Sequence, residues 1–108
     1  MTTYLGEFEQ LLLLAVLRLG DDAQAPGVAR ELDLRAGRTV SRGHLYTTLD
    51  RLEDKGLIRW KLVPGGPTRD SLPRRLYTVT PSGVGALRAS REVLRRMWRG
   101  LEGALGEP

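Results

Sequence analysis

The residues with the most chemical potential in this 108-residue chain are cations, and they are clustered. Residues 41–80 hold Arg42, Arg51, Lys55, Arg59, Lys61, Arg69, Arg74 and Arg75 against four acids, whereas residues 1–40 hold four arginines against six acids. The net charge of +4 therefore sits in the middle and the end of the chain. Interleaved with these cations are Ser41, His44, Tyr46, Thr47 and Thr48, small polar and aromatic groups suited to hydrogen bonds with base edges and phosphates. A cationic cluster of this kind points to a polyanion, either nucleic acid or an anionic surface. The alternative for such a cluster is an arginine-rich, solvated surface.

Catalysis has little to work with. The chain has no cysteine and a single histidine, His44. That removes disulfide frameworks, thiolate metal sites and a cysteine nucleophile, and leaves too few ligands for a metal site of ordinary composition. No nucleophile–base pair stands out, and Pro64-Gly65-Gly66-Pro67 reads as a turn rather than a phosphate cradle. No catalytic residue, metal or cofactor is expected. The longest apolar run, Leu11 to Leu17, is far shorter than the ~20 residues that cross a bilayer. The N-terminus has no basic segment or cleavage site of a secretory leader. A soluble, cytoplasmic chain with no membrane partner is the expectation.

The elements that must carry the cations follow from periodicity. Leu5 to Leu19 has apolar residues at helical spacing, but Leu13, Leu14 and Leu17 fill the opposite side too. A helix apolar nearly all round is buried on more than one face. One face can meet the core and another a partner chain, with Leu12 and Val16 expected at that partner surface; a central core helix in a monomer is the alternative. Gly20-Asp21-Asp22 ends it, and a second helix is expected from Pro26 to Ala36. A third starts after Ser41 as N-cap, with Val40, Leu45, Leu49 and Leu52 as a narrow apolar stripe and a stop at Lys55-Gly56.

Leu57 to Val63 alternates as a strand, Leu76 to Val79 returns as its partner, and residues 64–75 form a long basic tip. Thr80-Pro81 opens a last helix. Val84, Leu87, Leu94, Trp98, Leu101 and Leu105 lie on a heptad seam in which Arg91 takes one position. Such a seam calls for a second subunit, with Leu87, Leu94, Trp98 and Leu101 at the contact; packing wholly on the chain's own domain is the alternative. Gly100, Gly103 and Gly106 weaken the last turns.

Three helices, a basic hairpin and a long helix make a mainly α chain with a small β-hairpin, the winged helix-turn-helix order. Residues 1–80 form the DNA-binding part and residues 81–108 a dimerisation helix packed on it. The third helix then stands where a recognition helix enters the major groove. Ser41, Arg42, His44, Tyr46, Thr47 and Arg51 on that helix, and Arg69, Arg74 and Arg75 on the wing, are the candidate DNA contacts. Two placements fit Tyr46: against DNA, or with its ring on the edge of the core.

Three stretches carry a family resemblance: Leu5-Gly-Glu-Phe-Glu-Gln-Leu, Val40-Ser-Arg-Gly-His-Leu-Tyr-Thr-Thr-Leu-Asp-Arg-Leu-Glu-Asp-Lys-Gly-Leu-Ile, and Arg75-Leu-Tyr-Thr-Val-Thr-Pro-Ser-Gly. Together they resemble the PadR-type transcriptional regulators over nearly the whole chain. The middle stretch is fairly specific, and the last is shared by many winged helix proteins. With one helix after the wing, the chain is similar to the short class of the family. The resemblance implies a homodimer formed by the first and last helices, a palindromic operator in double-stranded DNA, and repression. It singles out Tyr46, flanked by Arg42 and Thr47, as a DNA contact. Where relatives often carry Ala-Tyr-Gly at the start of the second helix, this chain has Ala23-Gln24-Ala25, so any contact of that tyrosine is missing.

Met97 and Trp98 also suggest a pocket at the dimer interface for a small, flat aromatic effector, as the resemblance implies for some relatives; plain interface packing is the alternative. The competing function is a winged helix module that binds proteins without specific DNA binding. RNA recognition is less favoured, since the strands offer no aromatic stacking platform.

Overall fold

A computed structural model describes residues 4–67 and 72–106 of the chain. The helices are α1 (Glu7–Leu19), α2 (Ala25–Ala36), α3 (Arg42–Asp54) and α4 (Pro81–Trp98), and strands β1 (Ile58–Val63) and β2 (Arg74–Val79) stand between α3 and α4. A short 3₁₀ turn, Gly20–Asp22, joins α1 to α2, and another, Glu102–Leu105, follows α4.

The apolar stripes of the three leading helices converge. Leu12, Leu13 and Val16 of α1 meet Val28 and Leu32 of α2 and Leu45, Leu49 and Leu52 of α3, all buried. Each such side chain contributes roughly 1.5–3 kcal/mol by leaving water. Leu57, Ile58 and Tyr77 extend this core into the base of the hairpin. The strands pair antiparallel, with Ile58 opposite Val79 and Trp60 opposite Tyr77. Hydrogen bonds anchor the hairpin at its base: the Tyr77 N–H donates to Ala23 O (2.8 Å) and the Thr80 N–H to Leu57 O (3.0 Å).

Local chemistry sets the helix ends. Ser41 Oγ accepts from the His44 N–H (3.1 Å) and Thr80 Oγ1 from the Gly83 N–H (3.1 Å), so both expected N-caps form. Helix α1 starts at Glu7 rather than Leu5, because Glu9 turns back to accept the Gly6 N–H (3.0 Å). β2 begins at Arg74, so Arg74 and Arg75 belong to a strand rather than to the tip.

The expected reach of the last helix is corrected. It ends at Trp98, and Gly100 at φ +85° turns the chain into conformations open to glycine. Leu101 and Leu105, expected on the heptad seam, lie beyond the helix, so the helical part of that seam runs only from Val84 to Trp98. A second correction concerns α1. Leu12 and Val16, expected at a partner surface, are buried in the chain's own core, and the exposed apolar side of α1 carries Leu14 and Leu17.

One long-range ion pair fixes Lys55, the C-cap of α3, against α1. Glu9 is buried, and its second carboxylate oxygen accepts from Lys55 Nζ at 2.7 Å. Burial pushes the Glu9 carboxyl upward, but the Lys55 hydrogen bond, the Gly6 amide and the charges of Lys55 and Arg51 outweigh it, so its pKa lies below the ordinary 4.5. A depressed carboxyl stabilises the fold fully above its unfolded pKa, and that stability drains as pH falls through the folded value. Glu9→Gln is therefore expected to flatten the acid limb of stability below about pH 4.5. Urea midpoints of both proteins from pH 6 to pH 3 check it; parallel curves would assign the acid sensitivity elsewhere.

Candidate nucleic-acid interface

With Leu45, Leu49 and Leu52 facing the core and Thr48 Oγ1 donating to the His44 carbonyl (2.9 Å), the outer ridge of α3 is left to Gly43, Thr47 and Asp50. Arg42 and Tyr46 flank this ridge on the wing side. His44 and Arg51 flank it on the α1 side. Arg42, His44, Thr47 and Arg51 are exposed and Tyr46 is half-buried. The helix N-terminus, with Arg42 beside it, is the electropositive end of the dipole.

Each candidate residue has a definite setting. Ser41 is occupied as the N-cap. His44 stacks on the Phe8 ring at 4.6 Å and 21°, turning toward α1. The Arg42 guanidinium lies 5.8 Å from the Tyr46 ring centroid, so these two side chains form one unit. Arg74 donates to Gln24 Oε1 at 3.3 Å, tying the wing to the start of α2. Arg75 lies over the Trp60 ring at 4.1 Å and beside Asp50 of α3 at 3.8 Å. Arg69 lies outside the described residues.

A cleft of about 570 Å³ runs between the start of α3 and the wing, lined by Arg42, Tyr46, Leu62, Arg74, Arg75 and Tyr77 among others. Thus Arg42, Tyr46, Arg74 and Arg75 come together around one concavity, while Thr47 stays on the helix ridge and Arg51 on its α1 side. Tyr77 is buried at the floor of this cleft, and burial pushes its phenol upward although Arg75 pulls the other way. Among the described residues no cluster of His, Asp and Glu is built to hold a metal ion, and no helix is long and apolar enough to cross a membrane.

Reading the sequence missed three participants. In the sequence, Gln24 shows only as part of Ala23-Gln24-Ala25, where relatives often carry Ala-Tyr-Gly, Asp50 as one of four acids among the cations, and Phe8 as part of the first family-like stretch. Period and charge sign gave no hint that these three would meet Arg74, Arg75 and His44, because each contact joins separate elements.

Leu14 and Leu17 of α1 line a second groove of about 370 Å³ with Val84, Leu87, Arg91 and Leu94 of α4. Met97 and Trp98 follow on α4, 70% and 46% exposed.

The family model for the "Transcriptional regulator PadR-like family" matches residues 13–89. A curated relative, Transcriptional regulator Rv3488 of Mycobacterium tuberculosis, is 43% identical over 65 residues, which are 60% of this chain and 57% of that protein. The match thus spans little more than half of the relative's length. Among solved structures, a PadR-like transcription factor from Bacteroides fragilis superposes with a TM-score of 0.65 at 25% identity, covering 92% of this chain and 86% of that one. F93 from STIV, a winged-helix DNA-binding protein, matches with a TM-score of 0.67 at 19% identity over 88% of this chain and 95% of its own, a likeness of fold. The family comprises regulators of transcription rather than enzymes. With its three-helix core, basic wing and trailing helix, and with the family model matching most of its length, this chain belongs to the PadR-like family of transcriptional regulators.

Proposed function

We propose that the chain binds double-stranded DNA as a homodimer and represses transcription from a palindromic operator. The observation that carries this reading is the outer face of α3, with Arg42, Thr47 and Arg51 exposed and Tyr46 half-buried, set beside a wing bearing Arg59, Lys61 and Arg74. Helix α3 enters the major groove by its N-terminal half, and the wing cations meet backbone phosphate. Residues 1–80 are the DNA-reading unit and residues 81–108 the dimerisation segment. The protein acts in the cytoplasm, beside the DNA.

The apolar groove of Leu14, Leu17, Leu87 and Leu94, continued by Trp98, supports dimerisation, since large exposed apolar patches are uncommon on monomers. Two α3 helices related by a twofold axis read half-sites roughly 34 Å apart or a multiple of that. Leu94→Glu is expected to convert the dimer to a monomer, checked by sedimentation at micromolar concentration. A variant that sediments as the wild-type protein does would move the interface elsewhere.

A small, flat aromatic effector binding at Met97 and Trp98 between subunits would change the angle between the two copies of α4 and carry the α3 helices out of register. Trp98 fluorescence in a Trp60→Phe background, titrated with planar cationic and phenolic compounds, tests this. A signal that ignores the whole panel removes the effector.

The DNA reading itself is tested by fluorescence anisotropy against DNA from upstream of the protein's own gene, with excess competitor DNA and over a salt series. Binding that survives competitor and weakens steeply with salt supports a sequence-specific regulator. Absence of binding even at low salt favours a winged helix module that contacts proteins instead.

A further inference from the structure

We infer that Arg75 is a positioning residue that clamps the wing to α3, rather than a ligand of DNA phosphate. The inference rests on the DNA-binding reading for its functional consequence but not for the clamp itself. Four residues share one face of the hairpin: Trp60 and Leu62 on β1, Arg75 and Tyr77 on β2. Their registers are Leu62 opposite Arg75 and Trp60 opposite Tyr77, which makes Arg75 and Trp60 diagonal neighbours. The Arg75 guanidinium lies over the indole at 4.1 Å. The Asp50 carboxylate of α3 approaches Nη1 to 3.8 Å. The planar cation is thus shared between a strand ring and a helix acid, a geometry that suits arginine and not lysine.

Asp50 gives the arrangement its second consequence. It stands on the ridge of α3 that would face DNA, where a bare carboxylate repels phosphate. Paired with Arg75, its charge is offset. One contact therefore sets where the wing stands relative to α3 and offsets the acid on the reading surface. Lys61 and Arg59 lie on the opposite face of the hairpin from Trp60 and make no such inward contact among the described residues, so their charges remain available to phosphate on the DNA-binding reading.

The two roles predict opposite results. If Arg75 contacts phosphate, Arg75→Lys keeps most affinity, Arg75→Ala lowers the salt slope of log Kd by about 0.9, and Asp50→Asn strengthens DNA binding by removing an acid. If Arg75 is the clamp, Arg75→Lys and Arg75→Ala lose affinity alike, by about tenfold, and the salt slope hardly moves. Asp50→Asn also weakens binding although the protein has become more positive. The double variant Arg75→Ala/Asp50→Asn then loses little more than either single one, because both remove the same contact.

A readout without DNA accompanies these. Amide exchange of β1 and β2, and the Trp60 indole resonance, are compared in wild type and Asp50→Asn, with thermal melts confirming that both are folded. Faster exchange at Leu62, Val63 and Arg74 with a shifted indole signal supports the clamp. Unchanged exchange and an unchanged indole signal overturn it, whatever the DNA results. If wild type binds no DNA while Asp50→Asn still frees the wing, the DNA-binding reading fails and the clamp stands.

Discussion

Gly83→Ala is expected to destabilise the protein by about 3 kcal/mol, toward the upper end for an overpacked site. In an exposed helix interior the same change would help, since alanine outranks glycine by roughly 1 kcal/mol. At Gly83 the added methyl has no room. It would sit well inside contact distance of the Leu57 carbonyl oxygen and 2.6 Å from Val79 Cγ1. That carbonyl accepts the Thr80 N–H at 3.0 Å, and Thr80 Oγ1 in turn caps Gly83 and donates to Gly56 O (2.7 Å). The backbone cannot yield without loosening the junction of α3, hairpin and α4. Gly85, two residues on, has nothing within 4 Å of its would-be Cβ. Gly85→Ala is therefore the control, expected to stabilise by about 0.5–1 kcal/mol. Thermal melts separate the pair easily: for a domain of this size, 3 kcal/mol corresponds to roughly 10–20 °C. Equal effects of the two substitutions would mean that α4 does not press on Leu57.

The second large effect concerns DNA. Arg42→Ala and Tyr46→Ala are each expected to weaken binding to the operator by about 1–3 kcal/mol, roughly 5- to 150-fold, and to relax the preference at the bases they meet. Because the Arg42 guanidinium lies 5.8 Å from the Tyr46 ring centroid, their losses should not add. Lys61→Ala provides the contrast. A wing cation on phosphate costs affinity evenly across sequences and lowers the salt slope by about one. Anisotropy on the operator and on single-base variants distinguishes these patterns. Loss of discrimination in Lys61→Ala, with none in Arg42→Ala, would place the reading surface on the wing.

These two expectations draw on different kinds of legibility. The α3 ridge was readable because helical period alone sorts Leu45, Leu49 and Leu52 inward and leaves Arg42, Thr47 and Arg51 outward. The caps at Ser41 and Thr80 were readable for a similar reason: a hydroxyl three residues ahead of a free amide acts locally. The family resemblance supplied what period could not, namely that this order of elements belongs to regulators of transcription. Gly83 was not legible. Nothing in the sequence around it says that a carbonyl 26 positions earlier, at Leu57, presses on its α-carbon.

The same division explains the corrections. Leu12 and Leu14 look alike in a run of leucines, yet one is buried in the core and the other exposed. The run is apolar on every face, so its periodicity could not choose, and only the arrival of α2 and α3 on one side decided. The seam toward Leu105 followed from heptad spacing, but the backbone leaves the helix at Arg99 and turns on at Gly100. Arginine in the wing reads as a phosphate contact by charge alone, and charge alone could not show that Arg75 lies over the Trp60 ring and beside the Asp50 carboxylate. Patterns local along the chain, such as period, caps and charge sign, are inscribed in the order of residues, because their physics acts over one or two turns. Close approach between elements is not, because it depends on packing angles that the whole core sets together.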